Sequence, residues 1–371
     1  MRKLARSCLI GGLLVLLVLP ACRKETPPLK IGYVGGLTGR VAGLGVAGRD
    51  GLQLAVEERN AAGGIGGRKV ELITRDDKQD AGTGKLAVQE LIAAGVTAIV
   101  GPMTSAMAKE MQPVANRAQL PLISPTVTSN QFNDQDDYFF RMTMPLKINA
   151  RKLAEDVLAR GLRSFAVSVD LNNAAYTEDW LASFQQPFEA GGGRIVTVER
   201  FKSGAEGGFL PLAERLLKNR PDALLLLSGA MDTALLSQQV RKLGSKLPLF
   251  TSEWAFTSDV INFGGATVED LRSYVTYSPG STTPEHQVFV GKFEKRFGYK
   301  PSFAAVLAYE AGTFLLAGLE RNPGRENLKA ALTGLGSVRG LQGEVRINRF
   351  GDPERQTFLA AIRNGQFVTI E

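Results

Sequence analysis

Short runs of β-branched and aliphatic residues alternate with longer amphipathic segments along most of this 371-residue chain. The short runs predict strands at residues 29–34, 70–75, 98–100, 120–123, 138–141, 164–169, 195–199, 223–227, 249–251 and 273–277, and closing strands at 344–348, 357–362 and 367–370. The longer segments predict helices at residues 46–60, 81–94, 105–118, 148–160, 177–190, 209–218, 233–243, 284–297 and 303–320. Such alternation is typical of parallel sheets with helices on both faces.

The strand–helix pattern begins again twice, around residues 141–148 and near residues 271–276. These restarts predict two similar lobes that the chain visits in turn. The fold class we expect is therefore α/β, with two doubly wound, Rossmann-like lobes joined by a three-strand hinge. We expect residues 29–143 and 276–345 in lobe 1, and residues 144–275 and 346–371 in lobe 2.

The first 28 residues have the pattern of an export signal followed by a tether. Three basic residues precede an apolar stretch over residues 9–19, which is closed by Leu19-Pro20-Ala21-Cys22. This arrangement predicts a signal peptide over residues 1–21. The ending resembles a bacterial lipobox, so we expect a lipid on Cys22 and a short polar tether over residues 22–28. The alternative is an ordinary signal peptide that ends in Ala-Cys.

Cysteine content and hydropathy agree with a lipid anchor. The chain contains two cysteines, Cys8 and Cys22, and removal of the signal peptide leaves only the one that would carry lipid. No thiol then remains for a disulfide or a thiolate metal site. Beyond residue 28 we find no apolar run that approaches the ~20 residues of a membrane span. We therefore expect an exported lipoprotein of the periplasm or cell surface, with the lipid as its membrane contact.

The charge balance excludes a nucleic acid partner. The formal net charge of +7 includes three basic residues of the predicted signal peptide, and removing those three leaves +4. No run of lysine and arginine with interleaved aromatic residues is present of the kind that follows a phosphate backbone. The mild positive charge is better explained by solubility.

Two glycine motifs imitate phosphate-binding loops without the context that such loops need. Residues 43–48, GLGVAG, match G-x-G-x-x-G, but about eight residues separate them from the preceding strand. A dinucleotide site needs its first glycine at the end of the strand, so we expect a flexible loop that contacts a ligand or covers the lobe. Gly84-Lys85 lacks the leading glycine and the following serine or threonine of a phosphate loop.

The sequence predicts no enzyme, no cofactor and no metal. His286 is the only histidine, and no nucleophile motif such as G-x-S-x-G accompanies it. We expect His286 to be a solvated surface residue. The aspartates within 76–77 and 134–137 lack the spacing of a calcium loop, and we expect them at solvated loop ends.

Short motifs spread over nearly the whole chain after residue 28 share an order and a spacing. They are IGYVGGLTG at 31–39, GRDG at 48–51, NAAGGIGGR at 60–68, IVGP at 99–102, PLISP at 121–125, Phe140-Arg141, Ala175-Tyr176, PDA at 221–223 and AYEA at 308–311. Together they resemble the branched-chain amino acid (leucine/isoleucine/valine) binding proteins of ABC importers. The resemblance implies the type I periplasmic binding fold and capture of a small solute between two lobes.

Two hydroxyl residues of lobe 1 are the first candidates for the solute site. Ser105 follows the strand at 98–100, and we expect it to cap the next helix, where a hydroxyl and free N–H groups favour a carboxylate. Thr128 lies past the end of the next strand, at the same edge of the predicted sheet. The resemblance implies that these two residues hold the α-carboxylate of the solute, with backbone groups near Thr126. The alternative is that both residues are plain helix caps.

The remaining candidates come from the resemblance. It implies that Tyr176 covers the ligand and that Glu253 receives the ligand's ammonium group, the alternative for Glu253 being a loop glutamate in water. Trp254 either walls the pocket or packs against its lobe. The family often has an aromatic residue at the position of Leu44, so this chain is expected to have a roomier pocket. Amides, urea-like solutes and aromatic acids occur among the ligands of relatives, which leaves the solute open.

These observations favour a lipid-anchored binding protein of an ABC importer. We expect it to capture an amino acid or a related small polar solute by closure of two lobes, to present the solute to a membrane permease, and to work as a monomer. The alternative is a ligand-sensing receptor of the envelope that works with a separate signalling partner. An envelope enzyme is disfavoured because no nucleophile–base set is present.

Overall fold

A parallel five-stranded sheet forms the first of two large sheets. The computed structural model describes residues 26–370, so the predicted signal peptide and the lipidation site at Cys22 lie outside the described residues. The strands follow the order β2-β1-β3-β4-β5, and every neighbouring pair is parallel. Their bounds are β1 Leu29–Gly35, β2 Val70–Asp76, β3 Ile99–Val100, β4 Leu122–Ser124 and β5 Phe139–Arg141.

A mixed seven-stranded sheet forms the second. Its order is β15-β14-β10-β9-β8-β6-β7, and read from β7 its five parallel strands repeat the order of the first sheet. The strands β14 and β15 close it as an antiparallel hairpin. The bounds are β6 Ser164–Asp170, β7 Arg194–Phe201, β8 Ala223–Leu227, β9 Leu249–Thr251, β10 Arg272–Val275, β14 Phe358–Arg363 and β15 Gln366–Thr369. A small antiparallel sheet contains β11 Ser337–Gly340, β12 Gly343–Ile347 and β13 Pro353–Glu354.

Helices cover both large sheets. The helices are α1 Ala42–Ala61, α2 Ala81–Ala93, α3 Ser105–Arg117, α4 Leu146–Ala159, α5 Ala174–Ala190, α6 Leu210–Leu217, α7 Ala230–Lys242, α8 Ser258–Gly264, α9 Pro284–Phe297, α10 Phe303–Arg321 and α11 Leu328–Thr333. The helix α10 is apolar and long enough to cross a bilayer, contrary to our expectation from sequence. It is mostly buried and packs along α1, as a core helix does.

The chain passes between the two large sheets three times. It leaves β5 for α4 through residues 142–145, leaves β10 for α9 through residues 276–283, and returns to the second sheet at β14. The fold is therefore α/β with two doubly wound lobes and a three-strand hinge. The predicted lobe boundary at 345/346 lies within β12, whereas the chain joins the seven-stranded sheet at Phe358. We propose that the third crossing is at 355–357.

The alternation of strands and helices that the sequence predicts is present in the structure. Each predicted strand end lies within two residues of the observed one, and some helices begin three or four residues earlier than predicted. The elements α8, α11, β11 and β13 were not predicted. They have two to seven residues each, which is too short to give a clear period in the sequence.

The prediction of a flexible loop at residues 43–48 was wrong. These residues form the first turns of α1, and the glycines let that helix pack closely against neighbouring segments of the same lobe. A Cβ on Gly45 would lie 2.0 Å from the carbonyl oxygen of Gly36, and one on Gly48 would lie 2.6 Å from the methyl group of Met103. The spacing of glycines thus reflects close helix packing and not a nucleotide site.

Candidate interlobe binding site

A cavity lies between the two lobes at the carboxyl ends of the parallel strands. It has an empty volume of about 350 Å³, which includes space open to solvent. Lobe 1 and the hinge contribute residues after β3 and β4 together with the first residue of α10, and lobe 2 contributes residues after β6 and β9. The lining residues are Leu44, Met103, Thr104, Ser105, Thr126, Thr128, Thr143, Asn173, Tyr176, Glu253, Trp254 and Phe303. The structure therefore brings all seven candidate residues to one cavity.

The hydroxyl groups of lobe 1 differ in how they are used. Ser105 is the first residue of α3, and the cap is Thr104, which makes no side-chain capping bond, so the expectation that Ser105 caps the helix was wrong. The Oγ of Ser105 accepts a hydrogen bond from the Ser129 N–H at 3.4 Å. Thr126 donates its hydroxyl to the Met103 carbonyl at 2.6 Å. The hydroxyl of Thr128 is buried and has no hydrogen-bond partner among the described residues.

The amino-terminal end of α3 is bonded across the cavity to lobe 2. The Ala106 N–H donates to the Oδ1 atom of Asn173 at 2.9 Å. Asn173 is buried and precedes α5, where its side chain makes no capping bond to its own helix. Its amide oxygen instead satisfies one of the free N–H groups with which α3 begins. The structure consequently shows the two lobes in contact across the cavity.

Glu253 provides the carboxylate of the site. It begins a short 3-10 helix directly after β9, and it is 7 % exposed. Its Oε1 accepts from the Thr276 N–H at 2.6 Å and its Oε2 accepts from the Thr276 hydroxyl at 3.1 Å. Burial raises the pKa of Glu253 from 4.5 to about 7, because the desolvation of the charged form outweighs these two hydrogen bonds.

Aromatic and aliphatic side chains form the remaining walls. Tyr176 and Trp254 meet edge to face, with ring centroids 5.9 Å apart and planes at 82°. Burial raises the pKa of the Tyr176 hydroxyl, so this residue stays neutral. Leu44 and Phe303 are each 4 % exposed and close the apolar side of the cavity from lobe 1. The cavity thus combines polar groups with large apolar surface, as small-molecule sites do.

The charge of the site is acidic and uncompensated within the cavity. Among the described residues that line it, Glu253 is the only acid and none is lysine or arginine. Arg355 lowers the pKa of Glu253 from a distance, but its guanidinium lies 2.7 Å from Glu310 and 2.9 Å from the Met142 carbonyl. Within residues 26–370 no group of three or more His, Cys, Asp and Glu side chains is arranged to hold a metal ion.

Two expectations about charged residues outside the cavity were wrong. His286 is buried, because it shares the inner face of α9 with Phe289 and Phe293, and its Nε2 lies 3.1 Å from the Tyr277 hydroxyl. The helical spacing of these three residues was the signal that sequence reasoning missed. Asp77 is also buried and not at a solvated loop end, and burial raises its pKa to about 6.

Sequence reasoning missed five of the residues that line the cavity, namely Met103, Thr104, Thr143, Asn173 and Phe303. Asn173 lies beside the predicted Tyr176 but gave no sign that it would contact a helix 67 residues earlier. Thr143 belongs to a hinge crossing, and Phe303 opens a helix more than a hundred residues after most of the other lining residues. No local pattern could have joined them to the site, since only the packing of the lobes brings them together.

Comparisons with known proteins agree with this architecture. A family model described as "Periplasmic binding protein" matches residues 28–366. The Leu/Ile/Val-binding protein BraC3 of Rhizobium johnstonii is 25 % identical over 341 residues, which cover 89 % of this chain and 90 % of that relative.

Two solved structures share the fold with a TM-score of 0.85 each. One is the branched-chain amino acid transporter substrate-binding protein LivJ of Streptococcus pneumoniae in complex with isoleucine, which is 22 % identical and covers 92 % of this chain and 99 % of its own. The other is an ABC transporter solute-binding protein of R. palustris in complex with benzoate, 21 % identical, covering 92 % of this chain and 95 % of its own.

The extent of the family match decides the assignment. It covers both lobes and all three hinge crossings, and the two-sheet topology is that of type I periplasmic binding proteins. The relatives are substrate-binding proteins and not enzymes. This chain belongs to the periplasmic binding protein family, and it is therefore a solute-binding protein exported to the periplasm, not an enzyme.

Proposed function

We propose that this protein captures an amino acid or a closely related small solute between its lobes and presents it to an ABC permease. A lipid on Cys22, which lies outside the described residues, would hold it at the membrane. The observation that carries the proposal is an interlobe cavity that contains one buried carboxylate without a cation and one buried hydroxyl without a partner.

The carboxylate favours a solute with an ammonium group. Glu253 is buried, and the described lining of the cavity offers no lysine or arginine to balance its charge. An unpaired buried charge is costly, and a hydrogen bond to a charged partner contributes ~1.5–3 kcal/mol. An ammonium group in the cavity would supply both the charge and the donors. Each Glu253 oxygen has a further lone pair available after its bond to Thr276.

Lobe 1 provides hydrogen-bond donors that suit a carboxylate. The unpartnered hydroxyl of Thr128 can donate to a carboxylate, and Ser105 lies at the positive end of α3. The Ala106 N–H is already bonded to Asn173, so an incoming carboxylate would compete for that donor. We propose that these groups take the α-carboxylate, while Tyr176, Trp254, Leu44 and backbone groups near Thr126 surround the rest of the solute.

Contacts from both lobes link binding to closure. Thr128 and Ser105 belong to lobe 1, and Tyr176 and Glu253 belong to lobe 2, so a solute meets all of them only when the lobes are together. A solute that contacts both lobes shifts a hinge equilibrium toward the closed arrangement. The closed shape is what a permease would recognise.

The two relatives with known ligands suggest the decisive experiment. Isoleucine carries an ammonium group and benzoate does not, although both carry a carboxylate. Calorimetric titration of the mature protein with L-leucine and with benzoate should be carried out at pH 6 and pH 8. Because Glu253 has a pKa of about 7, its ionised fraction rises about tenfold over this interval. An amino acid should therefore bind about tenfold more tightly at pH 8.

The Glu253→Gln variant is the matched control for this titration. It keeps an acceptor for the Thr276 N–H but cannot ionise, so it should bind L-leucine more weakly and lose the pH dependence. In the wild type, benzoate should show the opposite pH dependence. Its carboxylate is repelled by an ionised Glu253, so benzoate should bind more tightly at pH 6, where Glu253 is mostly protonated. If only benzoate binds, and binds more tightly at pH 6 than at pH 8, the amino acid assignment would be overturned. Binding of no solute from either class would overturn the proposal as a whole.

A further inference from the structure

A second and larger cavity lies beside the first between the same two lobes. Its empty volume is about 1,360 Å³, nearly four times that of the first. Lobe 2 contributes α8, β10 and the β14–β15 turn, and lobe 1 contributes residues 286–294 of α9 and the segment that leads into α10. Phe303 lines both cavities, and it is the single residue that they share among the described lining residues.

The second cavity has a mixed lining, in which apolar side chains lie among polar and charged ones that include Asn262, Glu294 and Lys300. Phe256 and Phe367 stack there with ring centroids 5.0 Å apart. The Oγ of Ser302 is buried without a hydrogen-bond partner among the described residues. The other aromatic and aliphatic lining residues are Ile261, Val275, Tyr277, Val290 and Phe303. The apolar part of this lining suits an alkyl or aryl group.

Phe303 is placed to act as a partition. It is the first residue of α10, it is 4 % exposed, and it lines each cavity. The first cavity holds the polar groups, so a solute anchored at Glu253 and Thr128 must direct its side chain toward the apolar walls. A side chain that reaches Phe303 in the first cavity meets a residue that also lines the second.

We propose that Phe303 limits the length of solute that the protein accepts, and that the second cavity is the compartment into which longer apolar tails extend when this ring is removed. The inference rests on the proposed function, because it takes the polar head of the solute to lie in the first cavity. It identifies a specificity-determining residue and a compartment for a solute class with an extended apolar tail.

The test compares short and long solutes in the wild type and in Phe303→Ala. The probes are L-norleucine and L-2-aminodecanoic acid, with benzoate and 4-hexylbenzoate run in parallel. The wild type should prefer the short member of the bound pair. Since each buried methylene contributes roughly fourfold in affinity, Phe303→Ala should improve binding of the long member on the order of tenfold to a hundredfold relative to the short one. An unchanged preference would overturn the inference.

Three further variants test whether a changed solute preference comes from the removal of Phe303 itself or from a general loss of packing in the protein. Phe303→Leu keeps an apolar side chain and should give a smaller gain, which preserves the test if the alanine variant folds poorly. Ile261→Trp is meant to refill the second cavity, and combined with Phe303→Ala it should cancel the gain. Phe297→Ala removes an aromatic ring of lobe 1 that lines neither cavity, and it should leave the preference unchanged.

The outcomes for the two proposals are distinguishable. If the wild type binds neither head group, the proposed function fails, and 1-octanol serves as a probe that needs no head-group recognition. Thermal stabilisation of the wild type by 1-octanol that is lost in Ile261→Trp would support the apolar compartment. No stabilisation of either the wild type or Phe303→Ala by 1-octanol would overturn it.

Discussion

Glu253 is the residue whose surroundings most constrain the chemistry of the cavity. Its carboxyl group is buried beside the hinge, and both of its oxygens accept hydrogen bonds from Thr276. Thr276 is itself 3.0 Å, between hydroxyl oxygens, from Thr143 of another hinge crossing. The position of the carboxylate is therefore fixed by two of the three connections between the lobes. Any solute that changes the charge of Glu253 acts directly on the hinge.

The burial of Glu253 should make the stability of the solute-free protein depend on pH. Below about pH 4.5 the carboxyl group is protonated in the folded and the unfolded chain, and its burial costs nothing extra. Between pH 4.5 and 7 the unfolded chain releases the proton first, so the free energy of unfolding falls as the pH rises. With a pKa of about 7 the loss is about 3 kcal/mol by pH 8.

Urea denaturation at pH 5 and pH 8 measures this effect. Glu253→Gln should remove most of this fall, whereas Glu206→Gln, at an exposed position, should retain it. In the Glu253→Gln variant the free energy of unfolding should still fall somewhat between pH 5 and pH 8, because burial also raises the pKa of Asp77 and of Asp170 to about 6. If the free energy of unfolding changes equally with pH in the wild type and in Glu253→Gln, the raised pKa of Glu253 would be contradicted.

At the scale of elements, a buried guanidinium joins three parts of lobe 1. Arg141 ends β5 and is fully buried, and its Nε lies 2.8 Å from the Oδ1 of Asp352. It also donates to the Ser129 carbonyl at 3.0 Å and to the Oδ1 of Asn133 at 2.7 Å. One planar side chain thus holds together β5, the loop after β4 and the segment that precedes β13.

Arg141→Lys should destabilise the protein even though the charge is kept. An ammonium group cannot reproduce the fork of donors, so a buried carboxylate or carbonyl loses its partner. Breaking a buried pair typically costs about 3–5 kcal/mol, and we expect a loss of about 3 kcal/mol in urea denaturation. Arg151→Lys, at a position that is 62 % exposed, is the matched control and should change the free energy of unfolding by less than about 0.5 kcal/mol. A similarly small change for Arg141→Lys would contradict this role.

At the scale of the whole molecule, polar contacts bridge the lobes at several places. The Nη1 of Arg40 lies 2.6 Å from the Oδ1 of Asp232, and the Ala106 N–H bonds to Asn173. A third bridge is formed by Asp179 of α5, whose Oδ2 accepts from the Ser129 hydroxyl at 2.9 Å and from the Asn130 N–H at 2.6 Å. The described arrangement of the lobes is consequently stabilised by direct contacts between them, in addition to any contacts with a solute.

The Arg40–Asp232 bridge gives a prediction about solute release. Arg40 is 39 % exposed but Asp232 is only 3 % exposed, so this pair is less solvated than a surface ion pair, and removing it should weaken solute binding by about fivefold or more. Arg40→Ala and Asp232→Asn should each raise the dissociation rate in stopped-flow measurements, and the double variant should add little. Lys109→Ala, which removes an exposed cation of lobe 1, is the control. Fully additive effects of the two single variants would argue against a direct pair.

The pattern of hydrophobic and polar positions determined much of this protein without a structure. It predicted nearly all the strands and longer helices, since the period of apolar positions is set locally by which face of an element is buried. It also indicated that Ser105 and Thr128 follow the ends of strands β3 and β4, because parallel strands of a sheet present their carboxyl ends at one edge. The class of fold and the neighbourhood of the cavity follow from these two facts. The candidates after β6 and β9, Tyr176 and Glu253, came from the resemblance to a known family.

Only the tertiary structure decided how the cavity is built and closed. The bond from Ala106 to Asn173, the contact of Thr276 with Glu253 and the place of Phe303 between two cavities join residues from different lobes or hinge crossings. The burial of His286 and the packing of α1 glycines were likewise set by neighbours that are distant in sequence. Sequence patterns report the face that each element buries, but not which element covers it, because that partner is chosen when the lobes pack.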